Sequence, residues 1–372
     1  LNSVLENEGN TIDGTQSVSQ QSQGSYAEML RLISEMKAGK VEALLTYGTN
    51  PAYSLPQSAG FEEALKKVKI KIYLGDRVDE TGSLSDFVLP CWHFLESWGD
   101  AEPQKGLFGL MQPTISPLHD NRGFEDSLLS LMREINGSTP SASFPYGMAM
   151  YQSHGTSTLT IKGPALGKEY ATWYDFLRDS WYKEIYLKND LIANFEDFWI
   201  SALRQGVFDT VDRSAEKISP RQFRTTALTK IRDIRKSVGL HYPVGKGKYT
   251  LALYTPLMQY DGRSNNNAWL FEAPDPVSKI TWDNYVSVAP KTANELGLNE
   301  SDVVALIANG VTQEIPVHIQ PGTHPEVLTV AVGWGREKVG RTGNKIGVNA
   351  FRWSNLVKGQ LISSSLPVEI KK

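Results

Sequence analysis

The chain is poorest in cysteine: Cys91 is the only one in 372 residues. One thiol excludes an intrachain disulfide and any four-thiolate zinc or iron–sulfur site built from this chain alone. The histidines, His93, His119, His154, His241, His318 and His324, are scattered without ligand spacing, so no structural metal is expected. Long apolar runs are missing too. None approaches the length needed to span a bilayer, so no direct membrane span is expected. Neither sign of charge dominates, with 38 Lys and Arg against 41 Asp and Glu. That balance leaves no electrostatic footprint for nucleic acid. The start at Leu1-Asn2-Ser3, with no Met and no signal peptide, looks like an internal fragment or a processed product. No serine sits in a G-x-S-x-G elbow, and no G-x-x-x-x-G-K-[ST] run cradles phosphate. No nucleophile has an evident base nearby, and no catalytic residue is assigned.

What is there is an alternation of strands and helices. Val41 to Tyr47 is a short apolar run broken at Gly48-Thr49-Asn50-Pro51, as a buried parallel strand would be. Phe61 to Val68 has helical spacing, with Phe61, Leu65 and Val68 on one face. Ile70 to Leu74 and Phe87 to Leu89 are further apolar runs. Strand, turn, helix, strand predicts a parallel sheet with crossover helices. Ahead of it, Tyr26 to Lys37 predicts an amphipathic helix stopped at Gly39, after a polar stretch at 1–25 read as loop.

Prolines at 103, 113 and 117 predict an extended surface segment, followed by a helix at Phe124 to Ile135. Residues 136–165 read as a long Gly-, Ser- and Pro-rich loop. Thr172 to Leu187 and Phe195 to Val207 predict aromatic-rich helices whose rings are core or domain contacts. Residues 213–248 read as a connector with one helix, Arg221 to Val238, and a solvated basic face at Arg232, Arg235 and Lys236. From Tyr249 the pattern becomes β-rich: YTLALY, NYVSVA, DVVALIA, TQEIPVHI and EVLTVAVG, with a hairpin at Asn309-Gly310 and a turn at Pro321-Gly322. One small helix, Pro290 to Leu296 stopped by Gly297, lies between them. The expected domains are thus an α/β domain with a helical insert at 1–212, a connector at 213–248, and a β-barrel at 249–372.

In parallel sheets, ligands bind at the carboxyl ends of the strands. Gly48-Thr49-Asn50 and the segment Asp76 to Asp86 both lie there. Asp76, Asp79, Glu80 and Asp86 can accept hydrogen bonds from a ribose or a guanine edge; equally, Asp79 and Glu80 can cap the turn that follows. Glu96 and Asp100, four apart, read as surface carboxylates facing water.

The spacing Gly48-x-Asn50-Pro51, Asp76-x-x-x-Glu80-Thr81-x-x-x-x-Asp86-x-Val88-Leu89-Pro90 and Phe94-Leu95-Glu96-x-x-Gly99 resembles the molybdopterin oxidoreductases of the dimethyl-sulfoxide-reductase type. So do Ala289-Pro290-x-x-Ala293-x-Glu295-Leu296-Gly297-Leu298, Asp302-Val303-Val304 and Pro321-Gly322. The resemblance implies a Rossmann-like αβα domain followed by a double-psi β-barrel. Gly48, Asn50, Asp76, Glu80, Thr81, Asp86 and Asn349 then fall where the family grips the guanine dinucleotide ends of its molybdopterin cofactor.

Glu96-Ser97-Trp98-Gly99-Asp100, Gln112-Pro113-x-Ile115-x-Pro117-Leu118, the run Tyr260 to Asn284, Val339-Gly340-Arg341-x-Gly343 and Gly347-Val348-Asn349-Ala350 are similar to one branch: the large iron–sulfur subunit of alternative complex III, a bacterial quinol-oxidising respiratory complex. That branch implies a cofactor-free scaffold, peripheral on the periplasmic side of the inner membrane. Its electrons pass through iron–sulfur clusters in a following ferredoxin-like segment, and no C-x-x-C-x-x-C run occurs here. Its partners are that segment and the other subunits, with the aromatic helices and the Pro-rich stretch as docking surfaces. The wider family implies instead the C-terminal portion of a working molybdenum or tungsten enzyme, with the seven residues gripping guanine dinucleotide. A stand-alone nucleotide-binding module is a third expectation. Tyr47, Tyr53 and Trp98 are bulky enough to plug the strand-end pocket.

Overall fold

The computed structural model describes residues 24–135, 170, 172–188, 194–210, 248–357 and 359–372, with isolated positions 2, 7 and 11. The expected loop at 136–165 and almost all of the expected connector, its helix and basic face included, lie outside the described residues. By contacts the chain divides into two compact units, Leu1–Gln23 with Pro90–Thr225, and Gly24–Leu89 with Thr226–Lys372. The first strand–helix–strand segment therefore shares a unit with the barrel.

In that second unit, helix Tyr26–Lys37 begins at a capping box: Ser25 Oγ accepts from the Glu28 amide and Glu28 Oε2 accepts from the Ser25 amide. Its apolar stripe buries Ile33 and Met36 against Phe61, Ala64, Leu65 and Val68, most of which belong to the helix Phe61–Leu65. Strands β1 (Ala43–Tyr47) and β2 (Ile70–Gly75) run parallel, with Thr46 opposite Tyr73, and β3 (Phe87–Pro90) follows β2 in the sheet. Both strand-end segments flagged from the sequence leave at the carboxyl ends of β1 and β2.

The expectation of buried strands needs correction. Leu44 packs on the helical cluster, but Leu45, Tyr47, Ile70, Phe87 and Leu89 are exposed, Phe87 at 58%. Among the described residues the helices of this cluster cover one face of the sheet, so the two-sided αβα layering is only half present. An apolar run cannot distinguish a strand covered on both faces from one covered on a single face.

In the Pro90–Thr225 unit, β4 (Gly99–Gln104) and β5 (Leu107–Met111) form an antiparallel hairpin, and β6 (Val207–Asp209) joins β5. The Pro-rich stretch is thus partly paired rather than simply extended. Pro103 sits where the β4–β5 register shifts, and Gly106 at φ +82° makes the turn, its amide held by Glu102 Oε1. Helices Trp173–Glu184 and Phe195–Gln205 bury Trp181, Phe198 and Trp199 with Leu110 and Leu177. Those rings are core, which removes them as a docking surface. Asp100 is exposed, as expected, but Glu96 is not. Glu96 is buried and accepts from the His93 and Leu118 amides, and Asp100 accepts from the Trp181 indole.

From Tyr249 a six-stranded barrel closes: β7 (Tyr249–Tyr254), β8 (Val286–Val288), β9 (Val303–Ala308), β10 (Val311–Ile319) and β11 (Val327–Ala331) are joined, after a small ribbon of β12 (Asn355–Val357) and β13 (Gln360–Ile362), by β14 (Leu366–Lys371). Around the barrel the order is β10-β8-β11-β7-β14-β9. Two pairs are parallel, β10 with β8 and β11 with β7; the others are antiparallel. The β9–β10 turn is Asn309-Gly310, both at positive φ, as a two-residue hairpin requires. Inward residues Leu251, Leu306, Ile315 and Leu328 alternate with mostly half-buried ones, β8 around Val286 is buried throughout, and together they close the core over Trp353.

Candidate functional site

All the site described here lies in the second unit. Pro51 begins a one-turn helix, Pro51–Ser54, with Asn50 at its N-cap. An N-cap asparagine ordinarily accepts from the helix's own amides. Asn50 does not. Its Oδ1 accepts instead from the Thr81 amide (3.1 Å) and hydroxyl (2.7 Å), and its Nδ2 donates to Glu80 Oε2 at 2.7 Å. Thr81 Oγ1 in turn accepts from the Ala52 amide. The turn after β1 and the turn after β2 are therefore laced together.

Glu80 is the hub. The Arg336 Nε donates to both its oxygens, at 3.0 and 2.9 Å, and Arg336 Nη2 stands 2.8 Å from Oε2. Oε1 also accepts from the amides of Glu337 and Lys338, at 2.7 and 3.0 Å. A carboxylate offers about four lone-pair sites, so this one is filled. Burial alone would raise the Glu80 carboxyl. The Arg336 fork and charge, the Lys338 amide and the Asn50 amide together override it and bring the pKa down to about 2.

Arg336 is buried, 4% exposed. It was not singled out from the sequence. Its Nη1 donates to the Gly262 carbonyl at 2.7 Å, and its guanidinium carbon lies 4.8 Å from the centroid of the Tyr53 ring. Tyr53 donates its hydroxyl to the Trp334 carbonyl at 2.6 Å, and burial pushes that hydroxyl's pKa up. Gly335, at φ +67°, lets the chain pass so close that a Cβ there would stand 2.2 Å from the Asn349 amide. The one local sign of this arm is the Gly333-Trp334-Gly335 run before it.

The other predicted residues divide. Asn349 joins the network, its Nδ2 donating to the Tyr53 carbonyl and its Oδ1 accepting from the Phe351 amide, both at 3.0 Å. Asp79 does what the capping alternative proposed: it accepts from the Gly82 amide at 2.7 Å and from the Tyr73 hydroxyl at 2.6 Å, and burial raises its pKa. Asp86 turns back to β2, accepting from the Lys71 amide and pairing with its ammonium. Asp76 pairs with its neighbour Arg77 near solvent. Neither is shown bonding to the Glu80 cluster. Gly48 makes the turn at φ +60°, with open space where a Cβ would be. Of the candidate plugs, Tyr53 lies under Arg336, Tyr47 is half exposed, and Trp98 packs on Tyr174 in the other unit.

Beside the network runs an open cleft of about 560 Å³, lined by Pro51, Phe61, Glu337, Lys338, Lys345 and Arg352 among others. Among the described residues, no group of three or more His, Cys, Asp and Glu is placed to hold a metal ion.

Comparison with known proteins shows what the chain is similar to. No protein-family model matches the chain. Over 116 residues, 30% of the chain, it is 33% identical to the menaquinone reductase, molybdopterin-binding-like subunit, of Nitratidesulfovibrio vulgaris, covering 17% of that protein. It is 21% identical over 353 residues to the arsenate respiratory reductase molybdopterin-containing subunit ArrA of Chrysiogenes arsenatis, covering 82% of this chain and 41% of that one. The chain is thus similar to molybdopterin-containing and molybdopterin-binding-like subunits, in line with the resemblance its motifs carry. The fold agrees: acetylene hydratase from Pelobacter acetylenicus superposes with a TM-score of 0.58 at 13% identity, over 92% of this chain and 46% of that one. The chain spans less than half the length of each of these relatives.

Proposed function

We propose that this chain is a cofactor-free scaffold portion of a respiratory oxidoreductase, the molybdopterin-like region of the iron–sulfur subunit of a quinol-oxidising complex of the alternative complex III type. Its partners are a ferredoxin-like iron–sulfur segment and the other subunits, and its place is peripheral, on the periplasmic side of the inner membrane. One observation carries the reading: Asn50, Glu80, Thr81 and Asn349, which the family resemblance assigns to the guanine dinucleotide, spend their polar atoms on one another, on Arg336 and on backbone groups. A cradle whose acceptors are already filled does not fit a ligand that must be held by them. Support of a weaker kind comes from the relative whose name couples menaquinone with a molybdopterin-binding-like subunit. No helix among the described residues is long and apolar enough to cross a membrane. The barrel's two parallel strand pairs within a closed six-strand ring favour the double-psi topology.

The cleft favours a second reading, the C-terminal portion of a working molybdenum or tungsten enzyme. It is large enough for one nucleotide end, with Lys338, Lys345 and Arg352 on its wall. Metal and pterin analysis of the intact native protein separates the two. The scaffold reading expects iron without molybdenum, tungsten or pterin; a stoichiometric metal–pterin signal establishes the second reading.

A further inference from the structure

We propose that Arg336 is a built-in substitute for a guanine base, and that it closes the cradle from within. Guanine carries a guanidine group: its N1–H and 2-amino N–H lie side by side around one carbon and present a planar donor fork. A carboxylate accepts that fork as it accepts the fork of arginine. In this chain Arg336 delivers Nε–H and Nη2–H to the two oxygens of Glu80. Arg336 Nη1 also donates to the Gly262 carbonyl; the matching nitrogen of guanine, N3, is an acceptor, so this contact belongs to the arginine alone and favours it over the base. The plane has an aromatic neighbour, the Tyr53 ring, at 4.8 Å, where a base would stack. The site is thus furnished as a guanine pocket is, with a carboxylate and a ring, and the chain supplies the occupant.

The backbone keeps that occupant in place. The Gly335 amide donates to the Ile346 carbonyl at 2.7 Å and the Lys345 amide to the Arg336 carbonyl at 2.6 Å, so the arm that carries Arg336 is braced against the segment at 345–346. The glycines on either side of Trp334 allow the arm to approach where side chains would collide: a Cβ at 333 would meet the Tyr260 carbonyl oxygen at 2.6 Å. A guanidinium tethered this way competes with a free base at a very high effective concentration. The wild-type cradle is therefore closed to guanine nucleotide.

This inference rests on the cofactor-free reading, but its test is separate. In the intact protein, thermal unfolding and calorimetric titration are compared for wild type and Arg336→Ala with guanosine monophosphate, adenosine monophosphate and guanidinium chloride at millimolar, non-denaturing concentrations. Wild type is expected to respond to neither nucleotide. Arg336→Ala is expected to lose stability, to regain part of it with guanidinium, and to bind guanosine monophosphate roughly tenfold more tightly than adenosine monophosphate, the ratio expected of one bidentate pair. If alanine does not fold, Arg336→Gln carries the same comparison, and folding that depends on added guanosine monophosphate also supports the proposal. Saturable guanosine monophosphate binding by wild type overturns it, as do variants that gain nothing from guanosine monophosphate. Variants deaf to guanine, with no pterin in the native protein, refute the substitution alone. Pterin in the native protein refutes the scaffold reading itself.

Discussion

Glu80 and Asp86 are six residues apart, carry the same charge and leave the same sheet, yet they do different work. Glu80 is nearly enclosed, and its oxygens bind a buried arginine and two backbone amides from the far side of the chain. Asp86 is at the surface, and its Lys71 partner is on the adjacent strand. The first ties the turn after β2 to the barrel's glycine-rich arm within one unit. The second tidies a sheet edge. Carboxylates at strand ends signal a ligand only when their lone pairs are left over, and in neither place does the geometry leave many.

The comparison breaks first at Glu80. Glu80→Ala strands Arg336 as a buried, unpaired charge, and should cost about 3–5 kcal/mol in urea denaturation. A loss no larger than that of a surface substitution would put Glu80 in the same class as Asp86. Next comes pH. The folded Glu80 carboxyl lies near 2 against an ordinary 4.5, so its contribution is whole above about pH 4.5 and disappears as pH falls towards 2. The loss is on the order of 3 kcal/mol. Asp79, raised by burial, works in the opposite sense and favours the fold as it protonates, so the observed acid limb is shallower in wild type than in an Asp79→Asn variant. Denaturation midpoints across that window check both. Tyr53→Phe keeps the ring under Arg336 but leaves the Trp334 carbonyl without its buried donor; about 1–2 kcal/mol should go, with the acid limb unchanged. Least of all, Asp86→Asn should leave the midpoint where it is, since an exposed pair is screened by water and salt.

Local pattern gave the strands, the barrel's alternation, the Asn309-Gly310 hairpin and the strand-end position of Asn50, Glu80 and Thr81. Those features depend on residues close in the chain, where periodicity and turn chemistry operate. Arg336 was invisible because it meets Glu80 across 256 residues of sequence, and only a glycine on each side of Trp334 marks the arm that carries it. The grouping of Asp76 and Asp86 with the cradle failed for a related reason. Spacing places a residue at a strand end, but the nearest cation, Arg77 or Lys71, decides which way its carboxylate turns. Exposed Leu45 and Phe87 show the same limit for apolar runs. Even the closure of the barrel, with β14 inserted between β7 and β9, joins the last strand to strands over 60 residues upstream, beyond any local signal.

A double-mutant cycle on Glu80 and Arg336 tests the occupied cradle most directly. With Glu80→Ala, Arg336→Ala and the double variant in urea denaturation of the intact protein, the account predicts a coupling of about 2 kcal/mol or more, as for close, desolvated charge pairs. Single losses that add to within about 0.5 kcal/mol of the double would contradict it, because the two side chains would then not be holding each other in the native state.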